Sequence, residues 1–364
     1  MKTRLVIGIL ATTLAVGCST KKDAENKAPP VAGSNTPTPG SNAAGSGAAG
    51  SGSAVAEAPK PDPALMARGG YLAKMYGCNV CHVYFGEKGP DFSKVGGGGL
   101  ELAEKFGTWR GPNITPHKGS GIGNWKVEDI MAAIREGVRP DGSKLYALMP
   151  YPNYHRMTDD EARAIATFVA NLPEVDHAVA PNKDLKLPQI PMPKPENKPI
   201  PVDDKVKHGE YMVTLMHCNN CHAKPGKDGM PDFVGKPFSG GMEFEIAFLG
   251  EGKLVAPNIT SDAETGIGKW TEADIAKSLK TMMRPDGTII HGPMQFYQAG
   301  WAQLEDKDLE AIAAFIKSIP ADKNKVAKST FKPKGPPGPP PTGAGSASPA
   351  GPAGAGSGSA APAK

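Results

Sequence analysis

The sequence predicts an all-α protein built of two tandem units, and three observations carry that expectation. The 11 Phe, 8 Tyr and 4 Trp residues all fall within 63–178 and 202–331. Those two stretches repeat one ordered set of short motifs, the signature of a duplicated unit. Their apolar residues recur at helical spacing, and no stretch shows a convincing period-two alternation. Of the 45 Gly and 37 Pro of the 364-residue chain, 36 sit in the 90 aromatic-free residues of 28–62, 179–201 and 333–364, an uneven spread that argues against one large globular domain. The organisation that follows is a signal peptide over 1–17, a disordered tether over 18–62, a first domain over 63–178, a Pro-rich linker over 179–201, a second domain over 202–331 and a disordered tail over 332–364.

Met1–Arg4 is basic and Leu5–Gly17 is largely apolar, too short a run to span a bilayer, so it reads as a cleaved export signal. Cys18, following Leu14-Ala15-Val16-Gly17, resembles the lipobox of bacterial lipoproteins, whose Cys is acylated and becomes the mature N-terminus. The expectation is an exported chain anchored by lipid at Cys18 on the periplasmic side of a bacterial membrane, with Ser19 pointing to the outer membrane. The Gly/Ser/Ala/Pro-rich segment after Cys18 would act as a flexible tether.

In the first unit, Pro63–Tyr76 reads as a helix running into a Cys motif, Val127–Glu136 as a smaller helix, and 158–172 as a helix opened by the capping box Thr158-Asp159-Asp160-Glu161. The second unit offers the counterparts Asp204–Met216, Glu272–Lys280 and 305–319. Gly-rich loops fill the rest, and helices this few bury too little apolar surface to make a core alone. Leu185, Leu187, Ile190 and Met192 give the linker apolar residues with which to pack along the domains.

The repeat runs through five landmarks. Gly69-Gly70-Tyr71 and Cys78-Asn79-Val80-Cys81-His82 recur 140 residues later as Gly209-Glu210-Tyr211 and Cys218-Asn219-Asn220-Cys221-His222. Pro112-Asn113-Ile114-Thr115, Gly121-Ile122-Gly123-Asn124-Trp125 and Arg139-Pro140-Asp141-Gly142 recur at an offset of 145, and Met149 falls on Met294.

Two Cys-x-x-Cys-His motifs in an exported chain fit covalent haem c. Cysteines three apart share one face of a helical turn and reach two vinyl groups, while the adjacent imidazole reaches the iron. A thioredoxin-like pair would follow a strand, which is missing, and a zinc site built from the four Cys would leave both His residues unexplained. Two haem c groups are expected, bound at Cys78, Cys81, Cys218 and Cys221, with His82 and His222 as proximal ligands. The carbonyls that orient those rings are sought in Pro90-Asp91-Phe92 and Pro231-Asp232-Phe233, just beyond the motifs.

Met149 and Met294 are the methionines that match across the repeats, and they are read as the sixth ligands. Met157 sits at a hydrophobic-staple position matched by Leu304, and His117 and His155 have no counterparts, while His291 falls opposite Tyr146 and His217 adjoins Cys218. Arg139, Arg284, Trp125 and Trp270 are candidate haem-propionate contacts, and Asn113 and Asn258 candidate hydrogen-bond donors near the distal ligand.

Together these motifs, with Met149-Pro150-Tyr151 ahead of Met157-Thr158-Asp159-Asp160-Glu161, resemble class I cytochrome c domains. The resemblance is greatest to the cytochrome subunits of membrane-bound alcohol, aldehyde and related dehydrogenases. It implies the mostly helical cytochrome c fold in both units, the axial pairs His82/Met149 and His222/Met294, and electron transfer between a redox protein donor and acceptor. The sequence departs from that pattern in having two haem motifs where those subunits commonly have three domains, and in Gln295-Phe296 where the first copy has Pro150-Tyr151.

Two six-coordinate irons leave no position for a small-molecule substrate, so an electron carrier without catalytic residues is expected, the alternative being a dihaem peroxidase with one open iron. Residues 62–178 carry 13 Lys/Arg against 14 Asp/Glu, and residues 202–322 carry 12 against 18. Neither unit offers the basic face that nucleic-acid binding needs, and the acidic second unit suggests a basic partner.

Overall fold

The computed structural model describes residues 61–104, 106–183, 185–246 and 248–334. The export signal, the lipidation site Cys18, nearly all of the tether and the tail beyond 334 lie outside the described residues. No helix among those described is long and apolar enough to cross a membrane.

In chain order the first repeat forms α1 (Pro63–Met75), α2 (Cys78–Cys81), β1 (Tyr84–Gly86), β2 (Gly89–Asp91), β3 (Glu101–Glu104), β4 (Gly107–Arg110), α3 (Val127–Glu136), α4 (Tyr151–Tyr154) and α5 (Asp159–Ala170). The second repeat forms α6 (Lys205–Leu215), α7 (Cys218–His222), β5 (Glu243–Phe244), β6 (Gly250–Glu251), β7 (Leu254–Val255), α8 (Glu272–Thr281), a 3-10 turn (Pro293–Tyr297), α9 (Gln298–Trp301) and α10 (Asp306–Ser318), followed by β8 (Lys332–Pro333). Helices carry the core, but the chain is not wholly α. Four two-stranded antiparallel ribbons pair β1 with β2, β3 with β4, β5 with β7 and β6 with β8. None of these strands exceeds four residues, too few to register as alternation in the sequence. The β6–β8 pairing also carries order through Lys332 and Pro333, two residues past the boundary expected for the tail.

Each repeat is organised by one close helix crossing. Alpha1 packs against α5, and α6 against α10. At the crossings a Cβ on Gly69 would fall 2.1 Å from the Ala164 carbonyl oxygen, and one on Gly209 would fall 1.9 Å from that of Ala311. A mid-helix glycine costs ~0.5–1 kcal/mol relative to alanine, and here the close backbone approach requires it. Leu72, Met75, Tyr76, Ile165 and Val169 fill the first crossing, and Met212, Leu215, Met216, Leu309 and Ile312 the second. All belong to one continuous apolar cluster.

Paired polar contacts join the two repeats. Tyr71 Oη donates to Asp308 Oδ2 at 2.7 Å, and its counterpart Tyr211 Oη donates to Glu161 Oε2. Asn153 Nδ2 donates to the Thr214 carbonyl at 3.2 Å, and Trp301 Nε1 to the Met75 carbonyl at 3.0 Å. The capping box expected at Thr158 therefore forms by half. Thr158 Oγ1 accepts from Glu161 N at 3.2 Å, but the Glu161 carboxylate is buried and turned to Tyr211, Tyr76 and Arg68 across the helix crossings.

Residues 179–201 run along the first repeat. Lys186 N donates to the Phe106 carbonyl at 2.8 Å, Ala147 N to the Pro188 carbonyl at 2.9 Å, and Ile190 N to Tyr151 Oη at 2.6 Å, while Leu185 is buried.

Candidate functional site

The two Cys-x-x-Cys-His segments form single helical turns, each entered through a left-handed residue, Gly77 (φ 76°) in α2 and His217 (φ 44°) in α7. Only Gly takes that conformation freely, so His217 is a strained substitute at the same place. The turn brings Cys78 and Cys81, and Cys218 and Cys221, onto one face each, and all four thiols are free. Burial pushes the thiols up, to about 12 for Cys78 and Cys218 and about 11 for Cys81 and Cys221. A dithiol redox pair depends on the opposite shift. Half-buried, paired thiols beside an imidazole suit thioether attachment.

Both histidines are fixed from two sides. His82 Nδ1 donates to the Pro112 carbonyl at 2.8 Å, and the His82 carbonyl accepts from Gly98 N at 3.0 Å. His222 Nδ1 donates to the Pro257 carbonyl at 2.9 Å, and its carbonyl accepts from Gly240 N at 2.6 Å. Since a carbonyl only accepts, the proton sits on Nδ1, and burial holds each ring below its ordinary pKa, hence neutral. The Nε2 lone pair is left available to a metal.

These carbonyls come from the Pro-Asn-Ile-Thr motif and not, as the sequence suggested, from the segments just past the histidines. Gly89–Asp91 instead pairs with Tyr84–Gly86 in the β1–β2 ribbon. Short sequence separation was a poor guide, because Gly98 and Gly240, both left-handed, admit the later loop against the motif. A Cβ on Gly98 would lie 2.5 Å from Asn113 N, and one on Gly240 2.4 Å from Asn258 N.

Met149 precedes α4 and Met294 lies in the 3-10 turn before α9, so the matched methionines sit at corresponding places. Both are half-buried against the apolar cluster at whose margin Cys78 and Cys218 also lie. Each repeat thus carries two thiols, one imidazole with its Nε2 available and one matched thioether, groups of the kind that haem c takes.

A Cytochrome c family model matches residues 206–320. The dihaem c-type cytochrome of Cereibacter sphaeroides is 31% identical over 288 residues, which are 72% of this chain and 90% of that protein. The chain belongs to the cytochrome c family. The cytochrome c subunit of the quinone alcohol dehydrogenase of Gluconobacter oxydans is 32% identical over 73% of this chain and 57% of its own length. The fructose dehydrogenase cytochrome subunit of Gluconobacter japonicus is 31% identical over 73% of this chain and 56% of its own length. The cytochrome therefore spans little more than half the length of these dehydrogenase subunits.

Within this cytochrome the remaining sequence candidates divide. Asn113 and Asn258, expected near the distal ligand, spend their side chains on the protein. Asn113 Nδ2 donates to the Val175 carbonyl at 2.7 Å and Oδ1 accepts from Thr115 N and Oγ1. Asn258 Nδ2 donates to the Asp322 carbonyl at 2.8 Å and Oδ1 accepts from Thr260. They tie the segment after the last helix of each repeat to the loop that supplies the proline carbonyl, a positioning role visible only once the chain is folded. Arg139 Nη1 bonds Ser143 Oγ and the Lys144 carbonyl, and Arg284 Nη1 bonds Thr288 Oγ1 and the Ile289 carbonyl. Trp125 and Trp270 pack against the apolar cluster.

The rival ligands have other work. Met157 is 1% exposed in the core, matched by Leu304 at 3%. His117 Nδ1 engages Ser120, and His155 Nδ1 bonds the Arg135 carbonyl. His217 is edge-on to Tyr154 and Tyr297. His291, three residues before Met294, keeps a buried Nδ1 with no protein partner, a feature no sequence pattern marked.

Proposed function

We propose that this chain is a dihaem electron carrier made of two tandem class I cytochrome c domains, 63–178 and 202–331. Cys78 and Cys81 hold one haem c and Cys218 and Cys221 the other, with His82/Met149 and His222/Met294 as the axial pairs. The observation that carries this reading is the duplicated histidine geometry, in which each Nδ1–H is engaged by a proline carbonyl and each Nε2 is left for iron. Bound haem c supplies one-electron exchange between ferric and ferrous iron. The chain's own part is to fix the imidazole tautomer, to offer the thioether that would serve as the second iron ligand and to surround the site with apolar side chains. Arg139, Arg284 and the indole N–H groups of Trp125 and Trp270 remain the candidates to meet propionates.

The names of the relatives suggest that the donor is a dehydrogenase, and the acceptor in this reading is a respiratory or other redox protein. The leader sequence supports export, acylation at Cys18 and residence on the periplasmic side of a bacterial membrane. The purified protein should yield two covalent haem c per chain by pyridine haemochromogen assay and low-spin ferric spectra. One covalent haem, or a high-spin ferric fraction with peroxide turnover, would replace this reading with a monohaem or a peroxidase one. Globomycin treatment should block maturation at Cys18.

A further inference from the structure

The two repeats present the same loop in opposite states. After each Cys-x-x-Cys-His turn the chain makes an excursion and returns to hydrogen-bond the histidine carbonyl, through Gly98 N in the first repeat and Gly240 N in the second. In the first repeat this excursion carries Phe85 and Phe92, and the second repeat closes over both. Phe85 meets Phe248 edge-on with centroids 5.4 Å apart, Phe92 lies 6.3 Å from Phe296, and Phe248 and Phe296 are 6.1 Å apart. Val80, from within the haem-attachment turn, lines the same cluster, and only about 10 Å³ of space is left inside it.

In the second repeat the counterpart of Pro90-Asp91-Phe92 is Pro231-Asp232-Phe233, and it is uncovered. Met230 is 40% exposed, Phe233 52% and Val234 90%, and Phe233 makes no ring contact among the described residues. The loop that displays them is internally built. Lys224 N donates to the Lys236 carbonyl at 3.0 Å, Asp232 N to the Lys224 carbonyl at 2.8 Å, and Gly226 N to the Met230 carbonyl at 2.7 Å. Asp228 Oδ1 accepts from Met230 N, and Asp232 Oδ1 from Gly235 N at 2.7 Å. Three large apolar side chains are thus held out on a preformed loop whose stem begins two residues after His222.

We propose that the 224–236 loop is the docking face through which the second haem site exchanges electrons with an external redox protein. The occupant is a protein that lays aromatic and apolar side chains on this loop, as the second repeat lays Phe248 and Phe296 on the first. The equivalent face of the first repeat is closed by that packing, so external partners meet the chain at the second. The face is close to neutral. Lys224, Lys227 and Lys236 stand beside Asp228 and Asp232, both carboxylates accept backbone amides, and Lys236 pairs with Asp322 at 2.5 Å. Docking here is therefore driven by apolar burial, and it depends weakly on salt despite the acidic balance of the second repeat.

The proposal rests on the electron-carrier reading, and its test separates the two. The full-length holoprotein is reduced and mixed in stopped flow with excess oxidised soluble monohaem cytochrome c, and in parallel with ferricyanide. Val234→Asp and Phe233→Asp are compared with Val202→Asp, which alters an exposed apolar residue at the start of the second domain, outside the loop. The expected result is a bimolecular rate with the cytochrome about tenfold lower in the two loop variants, the loss typical of a docking anchor. The ferricyanide rate, haem content and absorption spectrum stay unchanged, and Val202→Asp matches the wild type. An unchanged rate with the cytochrome overturns the proposal. So does a wild-type dimer that Val234→Asp dissociates without altering that rate, since the face would then belong to a second copy. Absence of covalent haem, or no ferricyanide oxidation in the wild type, removes the carrier reading itself and the docking proposal with it.

Discussion

The ring of Tyr297 lies so close to Gly77 that a Cβ on that glycine would fall 2.1 Å from Tyr297 Cε1. Gly77 precedes the first Cys-x-x-Cys-His turn, and its counterpart His217, which precedes the second, meets the same ring edge-on at 5.9 Å. One side chain therefore touches the entry residue of both turns. Trp301 stacks on it at 4.8 Å and anchors to the Met75 carbonyl. The Tyr297 hydroxyl is held well above its ordinary pKa, first by burial and then by the cysteines of both motifs around it.

Gly77→Ala should destabilise the holoprotein by ~1–3 kcal/mol, since a left-handed backbone and a blocked Cβ position act together. Tyr297→Ala should remove about 3–5 kcal/mol of packing. If the contact is what penalises the alanine at 77, the double variant will be less destabilised than the sum of the singles by about 0.5–3 kcal/mol in denaturant titration. Additivity would mean that only the backbone conformation of Gly77 matters.

The assignment of Met294 over His291 has a spectroscopic consequence. His291 is the one histidine with an orphaned buried nitrogen near a proposed sixth ligand, so the two must be separated. Methionine ligation of ferric haem gives a weak far-red charge-transfer band, and two such haems contribute equally to it. Met149→Ala and Met294→Ala should each remove about half of its intensity, the share of one of two six-coordinate sites. His291→Ala should leave it intact. Retention of the whole band in Met294→Ala, with its complete loss in Met149→Ala, would exchange the two roles.

The tyrosine–carboxylate pairs between repeats give a defined pH dependence. Burial, with Glu161 beside Tyr211 and Asp308 beside Tyr71, raises both hydroxyls above the ordinary value of 10.0. A folded-state pKa above the unfolded one means that the native state holds its proton longer. This stabilisation is complete below pH 10 and is lost progressively as pH rises beyond it. The unfolding midpoint should fall as pH is raised above about 10, and less steeply in Tyr71→Phe and Tyr211→Phe than in the wild type. At neutral pH Tyr211→Phe should also cost ~1–3 kcal/mol, because it takes a donor from the buried Glu161. An alkaline limb of equal slope in all three proteins would place the titration elsewhere.

Much of this was legible in the sequence where local chemistry decides structure. Thr158 and Asp62 cap the helices that apolar spacing predicted, and the helix bounds from Val127 to Glu136 are the expected ones. The Cys-x-x-Cys-His spacing anticipated that each cysteine pair would lie on one helical turn. What the sequence did not show depends on distant segments meeting. Pro112 reaches His82 across 30 residues because Gly98 lets two loops touch, and nothing within either loop encodes that approach. Glu161 looked like a capping residue by its spacing from Thr158, yet Tyr211, 50 residues on, claims its carboxylate. Phe92 and Phe233 are both loop residues after a Cys-x-x-Cys-His motif, and only the placement of Phe296 makes one covered and the other open.

The Pro-rich linker should be held by Tyr151. That hydroxyl accepts from Ile190 N at 2.6 Å and donates to the Ile190 carbonyl at 3.1 Å, so one side chain closes both backbone groups of a linker residue. Upstream, Asn182 makes the same double contact with Arg110, at 2.7 Å and 2.8 Å, and Leu185 is buried between these two clamps. Every one of these anchors lies in the first repeat, while the repeats contact each other directly through α1, α6, α9 and α10. Freeing the linker should therefore expose it without separating the repeats. Tyr151→Phe should speed tryptic cleavage after Lys186 by about tenfold, the equilibrium effect of losing roughly 1.4 kcal/mol of local hydrogen bonding. The global unfolding midpoint should change much less than that local rate. Equal cleavage rates in wild type and variant would show that Leu185 and Asn182 hold the segment without Tyr151.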